Sequence, residues 1–451
     1  MAAHARRSIT SWRVLSGLAV ALVGGLVLPT LAAPPVSPSA PTPIGHGVRL
    51  TAAHPVLTFA GEMPGVTPFS VRNPDPTVCV RDCQYWSVQI ALKQSFLVAI
   101  RAANPATSDE FNLYVYDPHG SQVASATGVG SDGQSAVVAP TATGTYTIAV
   151  TDTFASETNP GYRGEVRLMS RPTWAFPRCA GPQPCPILPD LVPLPPSDVH
   201  VTGLPPAAST PLGFPLPVSI PTPSSCYADE TVRTGATRCL RFTSEVDNIG
   251  FGDLRLRLPW FAASSGTPTS AFVPAECEAQ QIIRYTDGTT KTHDAGPCQF
   301  HPQHAHFHYQ SYVEYALHAV TPKGATGGIV AKSLKQSFCL ADDGYFGFGK
   351  PAPNGPRDYV GQPGCNIPSV PTPDAFITMG NTPGWGDIYT WDTPDQFIDI
   401  TTVPPGTYDI VARTNPEKRL LTSGRQQPCG ATRIRLTSSN ATVVKAKVPC
   451  V

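Results

Sequence analysis

The sequence predicts an all-β protein made of two β-rich modules joined by a proline-rich connector, and three observations carry that expectation. Apolar and polar residues alternate over runs of strand length. Clusters of turn-forming residues separate those runs. Long patterns of helical period are absent from a chain that holds 51 prolines. At 451 residues the chain has room for two or three domains, each able to bury a core. A formal net charge of zero and a charged fraction of 14% leave no electrostatic footprint for nucleic acid or for a membrane surface.

From the N-terminus, residues 1–33 have the form of an export signal. Arg6, Arg7 and Arg13 precede an apolar stretch from Leu15 to Leu28, and small residues follow at Ala32 and Ala33. The stretch is short and interrupted by glycines, so a cleaved signal is expected rather than an anchor, leaving no membrane attachment after cleavage. Residues 34–46 are rich in Pro, Ser, Ala and Thr and are expected to form a disordered lead-in. Residues 47–170 are expected to form a β-sandwich, on the runs Phe111-Asn-Leu-Tyr-Val-Tyr116, Gln134-Ser-Ala-Val-Val138 and Gly144-Thr-Tyr-Thr-Ile-Ala-Val150, with the turn Asp117-Pro-His-Gly120. Residues 171–225, with Leu194-Pro-Pro and Pro215-Leu-Pro, form the expected connector, an irregular segment partly wrapping the second module. Strand patterns resume over 226–451, as in Leu240-Arg-Phe-Thr-Ser-Glu-Val246, Ile282-Ile-Arg-Tyr285, Phe397-Ile-Asp-Ile400 and Tyr408-Asp-Ile-Val-Ala412.

Twelve cysteines in an exported chain point to disulfides, and no CxxC spacing of the zinc-ribbon kind is present. Neighbour pairing is expected: Cys79 with Cys83, Cys179 with Cys185, Cys226 with Cys239, Cys277 with Cys298, Cys339 with Cys365 and Cys429 with Cys450. Sequence alone does not fix connectivity among twelve.

The chemistry-bearing feature is the run His301, His304, His306, His308, four of the chain's 11 histidines. Histidines 304, 306 and 308 alternate with Ala305, Phe307 and Tyr309, so an extended segment would place three imidazoles on one face. Neutral imidazole suits copper, zinc, iron and nickel, and three such ligands leave positions open for substrate or dioxygen. A solvent-facing histidine tract is the plainer reading. Against it, Phe300, Phe307, Tyr312, Val313, Tyr315 and Leu317 embed the run in a half-buried pattern. On a straight strand the outer two Cα atoms would lie about 13 Å apart. The segment should therefore bend or bulge, with Pro302 breaking the ladder. A cupin-like site using His306, His308 and Glu314 has the wrong spacing, and no HExxH or GxSxG supports a protease.

Several segments of the second half resemble the lysyl oxidase family of copper amine oxidases. In chain order they are Leu188-Pro-Asp-Leu-Val-Pro193, Leu240-Arg-Phe with Asn248-Ile-Gly250, the histidine run, Lys335-Gln-Ser-Phe-Cys-Leu340, Gly384-Trp-Gly-Asp-Ile-Tyr389, Gln396-Phe-Ile-Asp-Ile400 and Pro405-Gly-Thr-Tyr408. Each motif is weak alone; their joint order is what carries the resemblance. The first module resembles the bacterial pre-peptidase C-terminal type of sandwich, which implies an accessory role in binding or secretion and no chemistry.

The resemblance implies that residues 226–451 form a lysyl oxidase-like copper domain with His304, His306 and His308 as ligands and His301 outside the triplet. It implies that Lys335 and Tyr389 cross-link into lysine tyrosylquinone, which requires both to lie near the metal. Asp387 is the first candidate for the base that takes the substrate's α-proton, because it stands two residues from Tyr389 and shares its face on a regular strand. Asp342 and Asp343 are alternatives. Without the resemblance, Lys335 reads as a surface lysine and Tyr389 as a strand aromatic. Gln303, Trp385 and Asp395 stand where animal members carry cysteines, Tyr315 where they carry a further histidine, and Thr422-Ser-Gly-Arg-Gln-Gln427 replaces an asparagine-rich turn.

The function expected on this basis is that of a secreted copper- and quinone-dependent amine oxidase. It would convert primary amines, peptidyl lysine or small molecules, to aldehydes with dioxygen, releasing ammonia and hydrogen peroxide. Its partners would be an amine or lysine-containing protein and dioxygen, with no nucleic acid and no membrane. A secreted copper-binding or adhesion protein without the quinone is the alternative.

Overall fold

The computed structural model describes residues 41–450 apart from 69, 72–74, 78–81, 105–108, 128–132, 170–183, 205–224, 260–276, 302–305, 335–337, 349–358, 360–364, 366–375 and 425–428. The expected signal segment 1–33 lies outside these residues. The chain is all-β: one α-helix, Ala228–Thr234, occurs among the described residues, and none of their helices is long and apolar enough to cross a membrane.

Among the described residues, strands between residues 42 and 168 pair only with one another, in two sheets. The first has the order Thr42–Pro43, Cys83–Ile90, Gly144–Ala155, Glu110–Tyr116, Gln122–Ala126, and the second Val56–Glu62, Gly161–Leu168, Phe96–Ala102, Gly133–Val138. Their facing residues, among them Phe96, Val98, Ile100, Phe111, Ile148 and Val166, form one core. The turn after Tyr116 closes as expected: Asp117 accepts from the backbone N–H groups of His119 and Ser121 at 2.9 Å, and Gly120 supplies the positive φ of 82°. Thr42 and Pro43, inside the expected disordered lead-in, pair in parallel with Trp86 and Ser87. That lead-in is thus ordered at its end, because the edge of Cys83–Ile90 offers unpaired backbone groups.

Phe96–Ala102 is buried along its whole length. Phe96, Val98, Ile100 and Ala102 face the sandwich core, so a strand of an isolated sandwich would turn Leu97, Ala99 and Arg101 to water. Instead Leu97 and Ala99 pack with Tyr345 and Trp385 of the second half. Neighbouring residues of that outer face make polar contacts across the same boundary. Tyr345 Oη donates to Glu165 at 2.6 Å and Arg167 donates to the Gly347 carbonyl at 3.2 Å.

The second half holds three main groups of strands. His306–Tyr309, Thr290–His301, Cys277–Tyr285, Leu254–Pro259 and Phe376–Asn381 follow one another in one sheet. A second is built on Cys239–Asn248, beside which run Trp385–Tyr389 and Gly344–Tyr345. A third runs Thr326–Lys332, Val313–Val320, Gly406–Thr414, Cys429–Leu436, Ala441–Ala446. The expected connector 171–225 contributes short strands: Pro186–Ile187 pairs with Cys277–Tyr285, and Leu191–Pro193 and Ser197–His200 pair with Cys239–Asn248. Its prolines are compatible with pairing because the strands are short and their flanks leave the sheet. Gly250 and Gly252 let residues 187–190 approach so closely that a Cβ on either glycine would strike their backbone.

Four expected disulfides are formed: Cys226–Cys239, Cys277–Cys298, Cys339–Cys365 and Cys429–Cys450. Cys83 and Cys185 are also disulfide-bonded, while their expected partners Cys79 and Cys179 lie outside the described residues.

The single helix is fixed by charge. Glu230 accepts from the Tyr227 N–H at 2.8 Å, closing the first turn, and the fully buried Arg241 donates to Glu230 at 2.8 Å with both side chains at 0% exposure. Removing one partner strands the other charge in an apolar interior. Arg241→Met is expected to lower the unfolding free energy by about 3–5 kcal/mol, checked by equilibrium denaturant melts of wild type and variant.

Candidate functional site

The histidine run straddles a reversal of the chain. The strand Thr290–His301 ends at the first histidine and His306–Tyr309 begins at the third, with His301 directly opposite His306 in antiparallel register. Residues 302–305, with Pro302, where a break was expected, and His304 among them, lie outside the described residues. His301 lies across from His306 rather than in line with it, while His306 and His308 share one short strand. His308 is completely buried.

Backbone bonds bring the segment of Phe338 to this strand, and side-chain contacts bring Tyr389 to that segment. Tyr309 N–H donates to the Phe338 carbonyl at 2.8 Å and Phe338 N–H returns a bond to Tyr309 at 2.9 Å. On the other side of the disulfide, Phe307 N–H donates to the Cys365 carbonyl at 3.0 Å. The Cys339–Cys365 bridge thus belongs to a clasp around the histidine strand. Lys335 itself lies outside the described residues, three positions from Phe338. Tyr389, at the end of Trp385–Tyr389, packs its ring edge-on against Phe338 with centroids 4.8 Å apart. Its hydroxyl donates to the Cys339 carbonyl at 2.8 Å.

Asp387 is 2% exposed, and its carboxylate accepts from the Ala341 N–H at 3.1 Å. The register pairs Val246 with Asp387 and Ser244 with Tyr389, so all four side chains belong to one face of the sheet. Burial pushes the Tyr389 phenol well above the usual tyrosine range, and the charges of Asp387 and Asp343 push it further. Of the alternative bases, Asp342 is occupied structurally: it accepts from Thr382 N–H and Oγ1, each at 2.6 Å, and from Tyr359 N–H at 3.1 Å. Asp343 accepts a long bond of 3.4 Å from the Ile388 N–H.

Three neighbours were not legible as site residues. Tyr312 is fully buried, its hydroxyl has no hydrogen-bond partner among the described residues, and burial followed by the charge of Asp387 raises its pKa. Tyr315 donates to Ser244 Oγ at 2.7 Å, and Gln396 donates to the same oxygen at 3.2 Å. In the sequence Tyr312 resembles an ordinary core position, while Tyr315, at a family histidine position, and Gln396, at the head of a family-like motif, carried no assigned role. Glu314, weighed as a cupin-type ligand, is paired with Lys332 at 2.7 Å. Trp385 is buried at the boundary with the sandwich, and Asp395 pairs with Arg233. Of the segment 422–427, Ser423 donates to the Pro189 carbonyl at 2.8 Å, and residues 425–427 lie outside the described set.

Among the described residues no group of three His, Cys, Asp or Glu side chains is arranged to hold a metal. His304 and the side chains of His301 and His306 are not within that set. Imidazole is a donor suited to copper, and the described part of the run holds one buried imidazole, His308, on the strand to which Phe338, the neighbour of Tyr389, is bonded through Tyr309.

No family model matches the chain. It is 34% identical over 118 residues to lysyl oxidase homolog 1 of Homo sapiens, and equally to lysyl oxidase homolog 1 of Bos taurus. The matched stretch is 26% of this chain and 17% of either relative, so the chain spans about a sixth of the length of the curated relatives it matches.

Tyr389→Phe removes the bond to the Cys339 carbonyl and should cost about 1 kcal/mol of stability, measured by denaturant melts. Because the phenol is held neutral, the ultraviolet alkaline titrations of wild type and Tyr389→Phe should coincide up to about pH 10. They should separate only above it.

Proposed function

We propose that the chain is a secreted, copper-dependent amine oxidase of the lysyl oxidase type, acting on primary amines as free small molecules or as lysine side chains of proteins. One observation carries this reading. The tyrosine hydroxyl rests on the carbonyl of Cys339, four residues from Lys335, while the preceding Phe338 is bonded through its backbone to the histidine strand. Three segments far apart in sequence, each resembling a part of one family's site, thus meet at Phe338 and Cys339, which supports this reading. The similarity to lysyl oxidase homolog 1 supports the same reading, and the disulfides suit an oxidising compartment.

In this proposal His304, His306 and His308 hold copper, and Lys335 and Tyr389 are the parents of the quinone. Copper and the quinone together supply the two-electron oxidation of the amine by dioxygen, with aldehyde, ammonia and hydrogen peroxide as products. The protein's own side chains do the rest. Asp387 takes the α-proton, on the face of the sheet that carries Tyr389. Phe338 and Tyr312 keep that face dry, which favours the neutral form of a lysine amine brought against the tyrosine.

The test is the visible spectrum of copper-reconstituted, aerated protein with phenylhydrazine, beside Tyr389→Phe and Lys335→Ala. A band that shifts with the hydrazine and is lost in both variants is the expected outcome. Copper binding without such a band in the wild type would favour a non-catalytic copper-binding protein of the same fold. His308→Ala should retain less than one copper per chain after dialysis, measured by atomic absorption, with the far-ultraviolet circular dichroism unchanged.

A further inference from the structure

The sheet that carries Tyr389 ends at the strand Gly344–Tyr345, and the first module packs against that edge and reaches onto one face beside it. Tyr389 and Asp387 lie on the face shared with Ser244 and Val246; Gly386 and Ile388 lie on the reverse, opposite Asp247 and Glu245. Arg101, from the outer face of Phe96–Ala102, reaches this reverse side. Its Nη2 donates to Glu245 Oε2 at 2.9 Å and its Nη1 lies 2.9 Å from Oε1, with the two side chains 6% and 8% exposed. Two glycines make the space. A Cβ on Gly344 would sit 2.8 Å from the guanidinium carbon of Arg101, and one on Gly386 would sit 2.9 Å from Glu245 Oε1. These glycines are themselves cross-strand partners, so the gap is one continuous slot. A third, Gly133 of the sandwich, would place a Cβ 2.8 Å from the Asp343 carbonyl. Around the slot Leu97 and Ala99 pack on Trp385 and Tyr345.

We infer that the first module is a fixed back wall of the candidate site, and that Arg101 is a positioning residue which, through Glu245, holds the strand Trp385–Tyr389 in place. The inference rests on the proposed function only for its catalytic consequence; the latch itself is a matter of packing and charge. A buried guanidinium–carboxylate pair closed by a direct hydrogen bond is directional, so it fixes register as well as distance. Cys239–Asn248, which bears Glu245, is bonded along Trp385–Tyr389, so any slip at Glu245 is transmitted to Tyr389. A cross-link between two side chains tolerates little such slip, because near-contact geometry is what makes it fast.

Hydrogen–deuterium exchange on the full copper-loaded chain tests this, comparing wild type, Arg101→Met, Arg101→Lys and the charge-exchanged pair Arg101→Glu with Glu245→Arg. In Arg101→Met, exchange across Trp385–Tyr389 should quicken by about tenfold or more, while Cys83–Ile90, inside the sandwich, stays as protected as before. Arg101→Lys and the exchanged pair should each recover part of the protection. The fraction of copper-loaded chains that react with phenylhydrazine should fall in Arg101→Met at unchanged copper content. Unchanged exchange at Trp385–Tyr389 would overturn the inference. So would equal quickening of all strands, which marks a general stability contact, or an undiminished hydrazine-reactive fraction despite faster exchange. A wild type with no hydrazine-reactive fraction, but with the expected exchange pattern, would defeat the amine-oxidase reading and leave the latch standing.

Discussion

Every one of the ten residues of Cys239–Asn248 is buried, yet six of them, Arg241, Thr243, Ser244, Glu245, Asp247 and Asn248, are polar. Burial of that much polar surface is tolerable only if partners are supplied from all sides, and meeting this demand organises the molecule. Arg241 finds Glu230 of the helix and the carbonyls of Trp391 and Thr393, which tether the loop leaving Tyr389. Thr243 accepts from the Trp391 N–H, and Ser244 takes the hydroxyl of Tyr315 and the amide of Gln396. Glu245 takes Arg101 from the other module. Asn248 accepts from Asp190 and Gly250 and donates to the Gly252 and Asn381 carbonyls, joining the connector to the sheets.

The same desolvation shapes the chemistry on the front face. Tyrosines 312, 315 and 389 all have phenol pKa values raised chiefly by burial, and the charge of Asp387 acts on each of them. A phenol in such a place stays protonated and offers a hydrogen bond rather than a charge, which is the form Tyr389 takes toward Cys339. A bound cation would reverse that balance locally, since it would offset the carboxylates and favour the phenolate. In the proposed function the reactivity of Tyr389 would thus depend on what the histidines hold.

Much of the architecture was legible in the chain. Alternating runs such as Gly144–Ala155 and Gly406–Thr414 form strands because one face of each meets a core. Neighbouring cysteines bond because hairpins bring them together, as Cys277 and Cys298 are cross-strand partners. The strands inside the connector were not legible, since three short pairings amid prolines carry no periodic signal. Nor was Arg101. A lone charge at the end of Phe96-Leu-Val-Ala-Ile-Arg101 looks like a strand edge meeting water, and only the near-continuous apolar run hinted at cover on both faces. Its partner Glu245 alternates regularly with Val246 and Ser244 and gives no sign of burial by itself.

That concealment has a physical origin. Alternation identifies which face of a strand meets its own core, but a second contact on the outer face is set by shape, through Gly133, Gly344 and Gly386, and by one charge pair. Each of those glycines reads locally as a weak strand position. Together they permit two modules to approach within backbone distance, which side chains of any size would prevent. A sandwich merely tethered by a linker would need none of this. It would carry polar residues on its outer sheet where this one carries Leu97 and Ala99, and a buried guanidinium would have no compensating carboxylate across the boundary.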